Sequence, residues 1–278
     1  MQLEIEALYG SPPQEYTAAH RELFERFKAA LNSGAVRAAE PDPSSRTGWR
    51  VNRWVKQGIL LGFRLGAVVD MSIDPVRQPF FDRATWPVKR ITLADGIRIL
   101  PGGSSIRDGS FIGRNVSCIP PMYINFGAWV GDGTLVDSHA LIGSCAQVGT
   151  RCHISAGAQI GGVLEPVGAL PVIIEDDVLV GGNCGVYEGT VVQQRVVLGS
   201  GTILTRSTPV YDIVRGAIYS ATDDEPLIIP RDAVVVPGSR AIARGHGKEW
   251  GLSLQTPVIV KYRDSTTDAR VALEALLR

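Results

Sequence analysis

The chain has 278 residues, enough for one large domain or two ordinary ones, and its 28 basic residues balance 28 acidic residues. This balance argues against a protein that binds nucleic acid or a membrane surface by neutralising phosphates. The N-terminus lacks the regions of a signal peptide, and no run approaches the roughly 18 apolar residues of a membrane span, so we expect a cytoplasmic protein.

Two helices are predicted near the N-terminus. Residues Tyr16–Asn32 place an apolar face at helical spacing, and Ser33-Gly34 follows as a stop signal. That face consists of Leu23, Phe24, Phe27 and Leu31. Residues Trp49–Ala67 begin with basic and aromatic side chains and become almost wholly apolar, which indicates a second, buried helix. We assign residues 1–100 to an N-terminal helical domain.

From Ile106 onward an apolar residue recurs at every sixth position. The first series is Ile106, Ile112, Cys118, Ile124, Val130, Val136, Ile142, Val148, Ile154 and Ile160. The second series is Ile174, Val180, Val186, Val192, Leu198, Leu204 and Val210. Neither a strand nor a helix has this period. It is the signature of a parallel β-helix, in which three six-residue sides form one triangular coil and the recurring residue points inward. We therefore predict a mainly β fold, with a β-helix over residues 101–236.

An insertion interrupts the repeat, and the N-terminal and C-terminal segments flank it. Residues Gly161–Val172 break its phase, and loops that leave a regular solenoid commonly form the wall of a binding site. The open ends of the coil must be covered. The N-terminal domain can cover one end, and the C-terminal extension, residues 237–278, can cover the other with a strand at Pro257–Tyr262 and a terminal helix. Flat faces also favour association around a threefold axis, so we expect a homotrimer.

The cysteines and the absent motifs exclude several kinds of site. Cys118, Cys145, Cys152 and Cys184 show no metal-ligand spacing, so we interpret them as reduced residues that fill small apolar spaces, and we expect no metal. The chain has no P-loop, no dinucleotide-binding glycine motif, no GxSxG and no HExxH.

Three residues are candidates for chemistry on residue type and position alone. Asp137 follows the inward Val136, although a turn at that place also accepts an acidic residue. His139 competes with it as a general base, because the pKa of an unperturbed histidine is about 6.5. Arg98 is a lone arginine in an apolar stretch before the first hexad, where ordinary surface placement is the alternative.

Several longer motifs together resemble one family, the tetrahydrodipicolinate N-succinyltransferases. The motifs are "VNRWVKQGILLGFRL" (Val51–Leu65), "GIRILP" (Gly96–Pro101), "INFGAWVGDGTLVDSHALIGSCAQVG" (Ile124–Gly149), "GGVLEP" (Gly161–Pro166), "IIEDD" (Ile173–Asp177) and "VIVKY" (Val258–Tyr262). The resemblance covers nearly the whole chain. It implies a homotrimer of left-handed parallel β-helices that transfers succinyl from succinyl-coenzyme A to the amino group of ring-opened tetrahydrodipicolinate. It also implies active sites between neighbouring prisms and no permanently bound cofactor.

The resemblance also gives roles to individual residues. Asp137 is expected to bind the substrate and to receive or relay the proton of the attacking amine, which must be neutral to attack a thioester. Arg98 is expected to bind a carboxylate of the acceptor, since a guanidinium suits that group. Gly162 is expected to approach the arm of the cofactor, and Glu188 to bind substrate.

This chain departs from the family pattern in two places. A stretch resembling "SEVVEG" is here "CGVYEG", so that Gly185 occupies the first acidic position and only Glu188 remains. After Asp137, a Thr-Trp pair common in relatives is replaced by Ser138-His139. Whether Glu188 or His139 takes part therefore stays open.

Two further alternatives stay open, as does one binding site. The chain could be another hexapeptide acyltransferase that uses acetyl-coenzyme A or a different amine, or a catalytically inactive β-helix that serves as an assembly module. Arg240, Arg244 and Lys248 could meet the coenzyme phosphates, and spacing does not choose among them.

Overall fold

Three α-helices precede the repeat region in the computed structural model, which describes residues 1–264 and Thr266. They are Gln2–Gly10 (α1), Ala18–Asn32 (α2) and Arg53–Leu65 (α3). Strands Ala39–Pro41 and Trp49–Val51 form an antiparallel pair between α2 and α3, and strands Val68–Asp70 and Phe81–Arg83 form another after α3. A short 3-10 helix, Leu93–Asp95, precedes the first coil.

Helix α2 confirms the predicted apolar face, because all four residues of that face are buried. The helix begins two residues later than predicted, since Thr17 caps it: the Thr17 hydroxyl accepts a hydrogen bond from the His20 amide, and the His20 ring accepts one from the Thr17 amide. Helix α1 was not predicted.

The prediction of a helix over Trp49–Ala67 is wrong at both ends. Trp49–Val51 is a strand, and α3 ends at Leu65 because Gly66 is extended. Contacts with residues elsewhere in the sequence keep the first four residues, Trp49 to Asn52, out of the helix. The Trp49 indole donates to Glu175 Oε1 at 3.0 Å, and the Asn52 amide side chain donates to the Arg37 carbonyl at 2.9 Å.

The repeat region is a parallel β-helix with three faces. Face A contains Arg98–Ile99, Ser117–Cys118, Leu135–Val136, His153–Ile154, Leu179–Val180, Val197–Leu198 and Ala233–Ala241. Face B contains Ser105–Ile106, Tyr123–Ile124, Leu141–Ile142, Gln159–Ile160, Gly185–Val186 and Ile203–Leu204. Face C contains Phe111–Ile112, Trp129–Val130, Gln147–Val148, Ile173–Ile174, Val191–Val192 and Ile228–Ile229. The predicted inward residues from Ile106 to Leu204 are all buried, which confirms the prediction of a six-residue repeat.

The stacking register shows where the chain leaves the coil. Val130 pairs with Val148, which is 18 residues away and therefore one coil of three hexads. Val148 pairs with Ile174 across the Gly161–Val172 loop, and Val192 pairs with Ile229 across a second excursion. Val210 is buried in the core cluster of the coil, as predicted for an inward residue, but the prediction that it continues the hexads of the coil is wrong. Val210–Asp212 belongs to that excursion and pairs antiparallel with Ala217–Tyr219, because burial at a multiple of six does not by itself define a coil strand.

The helices pack against a side of the prism rather than across its end. Phe126 and Cys145, at the corner between faces B and C, join the buried cluster of the helical domain. The segment after the helices reaches the first coil, where the Lys89 amide donates to the Ile106 carbonyl. Face C is covered by the N-terminal strand pair, since Ala39 packs with Ile173 and Val191.

The last coil is followed by a long antiparallel hairpin. Ala233–Ala241 pairs with Ser253–Tyr262, which includes the predicted strand, and a short helix, Gly245–Glu249, lies between them. Ile259 of this hairpin joins the buried cluster formed by the inward residues of the coil. The predicted terminal helix lies outside the described residues. Within the part of the chain that is described, no helix combines the length and the apolar character needed to cross a membrane.

Candidate active site

The structure places Arg98 and Asp137 on the same side of the prism. Arg98 pairs with Ser117, and Ser117 pairs with Leu135, two residues before Asp137. With about 4.8 Å between neighbouring strands, the backbones of Arg98 and Leu135 are about 10 Å apart along face A. Arg98 is exposed, and it has no ion-pair partner among the described residues. A cationic side chain and a carboxylate therefore lie within reach of one small molecule.

Asp137 lies at the corner where face A leads into face B. Its amide donates to the Ile154 carbonyl at 2.9 Å, so stacking on the next coil fixes the backbone. Its Oδ1 accepts from the Ser138 amide at 2.6 Å, and no described residue donates to Oδ2. The side chain is half-buried. One carboxylate oxygen thus orients the group and leaves the other available to a ligand.

His139 lies at the same corner but is held differently. It is exposed and has a φ of 60°, and its amide donates to the Pro121 carbonyl. Its carbonyl accepts from the Gln159 side chain at 3.3 Å. Its backbone is therefore tied to two neighbouring coils, while its ring is open to solvent.

A groove of about 1060 Å³ lies at the corner between faces B and C, next to the Gly161–Val172 loop. Gly162 and Glu188 both line it, whereas Asp137 and Arg98 do not. Among the other lining residues are Arg53, Leu170, Tyr187 and Arg206. The chain thus brings the predicted site residues together as two pairs: Arg98 and Asp137 lie on face A and at its corner with face B, and Gly162 and Glu188 lie at the corner between faces B and C.

A buried lysine fastens the loop to the helical domain. Lys56 on α3 is fully buried, and its Nζ donates to the Ala169 carbonyl at 2.6 Å. Burial lowers the pKa of this amine from its ordinary value. Arg53, one turn earlier on α3, packs its guanidinium against Gly168, where an added Cβ would lie 3.6 Å from Arg53 Nε. Helix α3 therefore sets the position of the loop.

Gly162 occupies a place where no side chain fits without movement. An added Cβ would lie 2.5 Å from the Ser144 amide nitrogen, so the loop backbone lies directly on the neighbouring coil. Gly162 is exposed on its other side, and its own N–H donates to no described residue. A backbone donor of this kind is suited to an oxygen of a bound ligand.

A hydrogen bond restrains the carboxylate of Glu188. Its Oε2 accepts from the Arg206 amide at 2.7 Å, and its backbone has a φ of 55°. The Arg206 guanidinium donates to the carbonyls of Thr222 and Asp223 and so holds the second excursion beside the groove. Glu188 thus serves at least to connect the coil with that excursion.

Four residues of the groove and its support were not predicted from the sequence: Arg53, Lys56, Tyr187 and Arg206. A lysine inside the apolar stretch of α3 was a usable signal, because a buried amine needs an acceptor. The other three depend on chain excursions whose paths the repeat does not specify. Within residues 1–264, no group of three or more His, Cys, Asp or Glu side chains is arranged to hold a metal ion.

Comparison with known families matches the N-terminal helices and part of the repeat region. The family model described as "Tetrahydrodipicolinate N-succinyltransferase N-terminal" matches residues 1–65. The model described as "Hexapeptide repeat of succinyl-transferase" matches residues 171–206. The first match contains α1, α2 and α3, and the second contains coil strands from all three faces.

Two curated proteins that are similar to this chain over nearly its whole length have the same name. The 2,3,4,5-tetrahydropyridine-2,6-dicarboxylate N-succinyltransferase of Polynucleobacter asymbioticus is 39% identical over 270 residues, which cover 96% of this chain and 92% of the relative. The protein of that name from Methylobacterium sp. (strain 4-46) is 40% identical over 266 residues, which cover 93% of this chain and 90% of the relative.

A solved structure shares the fold. It is a Campylobacter jejuni protein named as a 2,3,4,5-tetrahydropyridine-2-carboxylate N-succinyltransferase, with a TM-score of 0.50 and 17% identity over 90% of this chain. The present chain spans 64% of the length of that protein, and the likeness concerns the fold alone. The curated relatives show more, because their identity extends over nearly the whole sequence. The chain belongs to the tetrahydropyridine-2,6-dicarboxylate N-succinyltransferase family.

Proposed function

We propose that this chain transfers a succinyl group from succinyl-coenzyme A to the amino group of ring-opened tetrahydrodipicolinate, in lysine and diaminopimelate biosynthesis. The products are N-succinyl-2-amino-6-oxopimelate and coenzyme A. The observation that carries this proposal is the identity of 39–40% to enzymes of that name over more than 90% of this chain. Succinyl-coenzyme A is a co-substrate here, and no bound prosthetic group takes part.

In the proposed mechanism the acceptor amine loses a proton and attacks the thioester carbonyl. A C–N bond forms, the C–S bond breaks, and the coenzyme thiolate takes up a proton as it leaves. Asp137 is the proposed acceptor and relay of the amine proton, supported by the free Oδ2 of a carboxylate whose Oδ1 is fixed by Ser138. The Gly162 amide is the proposed donor to an oxygen of the acyl-coenzyme arm.

Arg98 and Glu188 are the proposed binding groups for the acceptor. Arg98 supplies an exposed guanidinium on the face that leads to Asp137, which suits one of the two carboxylates. Glu188 supplies an oriented carboxylate in the groove. Because Arg98 and Asp137 lie apart from Glu188 on one prism, the proposal includes a homotrimer in which the Asp137 corner of one chain faces the groove of its neighbour. The partial exposure of Tyr123, Leu141 and Gln159 along face B supports such packing. A cytoplasmic location fits the use of these metabolites.

The proposal is tested by following free thiol after purified protein is mixed with an acyl-coenzyme A and either tetrahydrodipicolinate or L-2-aminopimelate. Succinyl-coenzyme A should give thiol release that depends on the acceptor, and acetyl-coenzyme A should be much poorer. Preference for acetyl-coenzyme A would favour the related acyltransferase, and no release with any acceptor would favour an assembly module.

Replacement of Asp137 tests its role within that assay. Asp137→Asn preserves the size of the side chain and its acceptor to Ser138 but removes the base, so turnover should fall by about 100-fold or more. His139→Ala, at the same corner, should retain most of the activity. The assignment is wrong if the Asp137 variant turns over normally while the His139 variant is inactive. Circular dichroism and the mass in solution should be unchanged for both.

A further inference from the structure

The strand Gly185–Val186 on face B carries no side chain at its outward position. Val186 is fully buried in the core, so Gly185 is the outward residue of the pair. It stacks between Gln159 and Ile203, which have outward side chains on the neighbouring coils. The face therefore has a gap of one side chain at this height.

The ring of Tyr187 fills that gap. A Cβ added to Gly185 would lie 2.5 Å from Tyr187 Cε2 and 2.9 Å from both Cζ and the phenolic oxygen. A Cβ added to Gly161 would lie 2.9 Å from Tyr187 Cδ1. The ring is thus held between Gly161 and Gly185. Its hydroxyl lies where the side chain of a larger residue at position 185 would begin.

The position of this hydroxyl makes it accessible to a ligand. Tyr187 lines the groove together with Gly162 and Glu188, and it is half-buried. From the groove its ring turns back over face B, and Gln159 on that face donates to the His139 carbonyl at the Asp137 corner. Among the described residues none is hydrogen-bonded to the Tyr187 hydroxyl, although the ring that carries it is fixed on two sides.

We propose that Tyr187 is a substrate-binding residue that helps to determine specificity, and that its hydroxyl donates a hydrogen bond to a carboxylate oxygen of the acceptor. This inference rests on the proposed function. A phenol is neutral and can donate, whereas a carboxylate at position 185 could only accept and would repel a carboxylate of the substrate. The pair Gly185 and Tyr187 therefore places a neutral hydrogen-bond donor, and not a second carboxylate, beside Glu188 at this end of the groove.

Kinetics of Tyr187→Phe test the role of the hydroxyl. The variant keeps the ring between the two glycines and removes one donor, so the KM for the acceptor should rise by about three- to tenfold, as expected for one lost hydrogen bond. The KM for succinyl-coenzyme A should not change. Tyr9→Phe is the matched control, because the Tyr9 ring packs in the helical domain against Arg64 and lies outside the groove. The control should match the wild type in all constants.

The possible results separate the two proposals. If the wild type releases no thiol with succinyl-coenzyme A and acceptor, the proposed function fails. If the wild type turns over and Tyr187→Phe has an unchanged KM for the acceptor, or a raised KM only for succinyl-coenzyme A, the assignment of Tyr187 is overturned.

A second pair of variants tests the packing itself. Gly185→Ala should lower the melting temperature because its Cβ meets the Tyr187 ring, and the same change in a Tyr187→Val background should have little effect. Equal losses in both backgrounds would show that the ring does not occupy this space.

Discussion

At the scale of single residues, a shift of one place along the chain separates a core residue from a candidate catalytic residue. Val136 is fully buried inside the prism, and the next residue, Asp137, is at a corner with a free carboxylate oxygen. The amide of Asp137 donates a hydrogen bond to the Ile154 carbonyl of the neighbouring coil. The packing of the core therefore fixes the backbone that carries this carboxylate. The orientation of Asp137 therefore needs no support from a separate structural element.

The proposed carboxylate-binding role of Arg98 gives a prediction at this scale. Arg98→Gln should raise the KM for the acceptor by about 10- to 100-fold, since a charge-assisted hydrogen bond contributes roughly 1.5–3 kcal/mol. Arg98→Lys should restore part of the binding, because it keeps the charge and loses the planar fork. The side chain is exposed, so thermal stability should be unchanged. An acceptor KM equal to that of the wild type would remove the assignment.

Sequence alone located some of these residues but not their surroundings. The period of six predicted that Val136 is inward, and hence that Asp137 is at a corner. It gave no reason to group Gly162 with Glu188, because the groove that they share is completed by Arg53 and Arg206. Those residues come from separate parts of the chain, and only the folded structure brings them together.

At the scale of elements, helix α3 and the Gly161–Val172 loop form one unit. The connection is the hydrogen bond from Lys56 to the Ala169 carbonyl, which spans 113 residues of sequence. A hydrogen bond depends on the direction of its donor and acceptor, so this one fixes the backbone of the loop at Ala169. It also offsets part of the free-energy cost of burying the Lys56 amine.

The buried amine predicts a pH dependence of stability. Burial holds the pKa of Lys56 below its ordinary value of 10.5, so between the two values the unfolded chain binds more protons than the folded chain. The free energy of unfolding should therefore rise with pH through this alkaline window, because the folded state loses a proton whose burial is unfavourable. Lys56→Met abolishes this contribution. In urea titrations from neutral to alkaline pH, wild-type stability should increase relative to that of the variant.

Other titrating groups are common to both proteins and cancel in this difference. Parallel curves for the wild type and Lys56→Met would contradict the prediction. Limited proteolysis provides an independent measurement, since loss of the contact with Ala169 should speed cleavage within Gly161–Val172.

The elements differ in how far the sequence could predict them. The coil strands were predictable because each hexad repeats the same burial, and repetition compensates for the weakness of any single two-residue strand. Trp49–Val51 was predicted as helix because its local composition is compatible with one, while its partner strand and its contact with Glu175 are distant in sequence. Val210 has the spacing and the burial of a coil residue, but it lies in a different pairing.

At the scale of the whole molecule, the two groups of candidate site residues, around Asp137 and around Glu188, lie at different places on one prism. Face C is covered by the N-terminal strand pair, whereas the outward residues of face B are partly exposed. A site composed of both corners is most simply completed by a neighbouring copy related by threefold symmetry.

The assembly gives a prediction that is independent of any single side chain. A chain of 29.9 kDa should behave in light scattering as a trimer of about 90 kDa. Activity per chain should fall on dilution in parallel with the loss of the trimer, because a dissociated chain has only part of each site. A monomeric mass at working concentration, or full activity of separated chains, would contradict this arrangement.

The register across the Gly161–Val172 loop has a consequence for how this scaffold can change. Val148 stacks on Ile174 as directly as Val130 stacks on Val148, although the extra loop residues lie between the first two. The coil strands, or rungs, therefore keep the same pairing whatever the length of the segment inserted between them. Evolution, or a protein engineer, can exchange this segment for a longer or shorter one and alter the enclosed space while every rung keeps its partner.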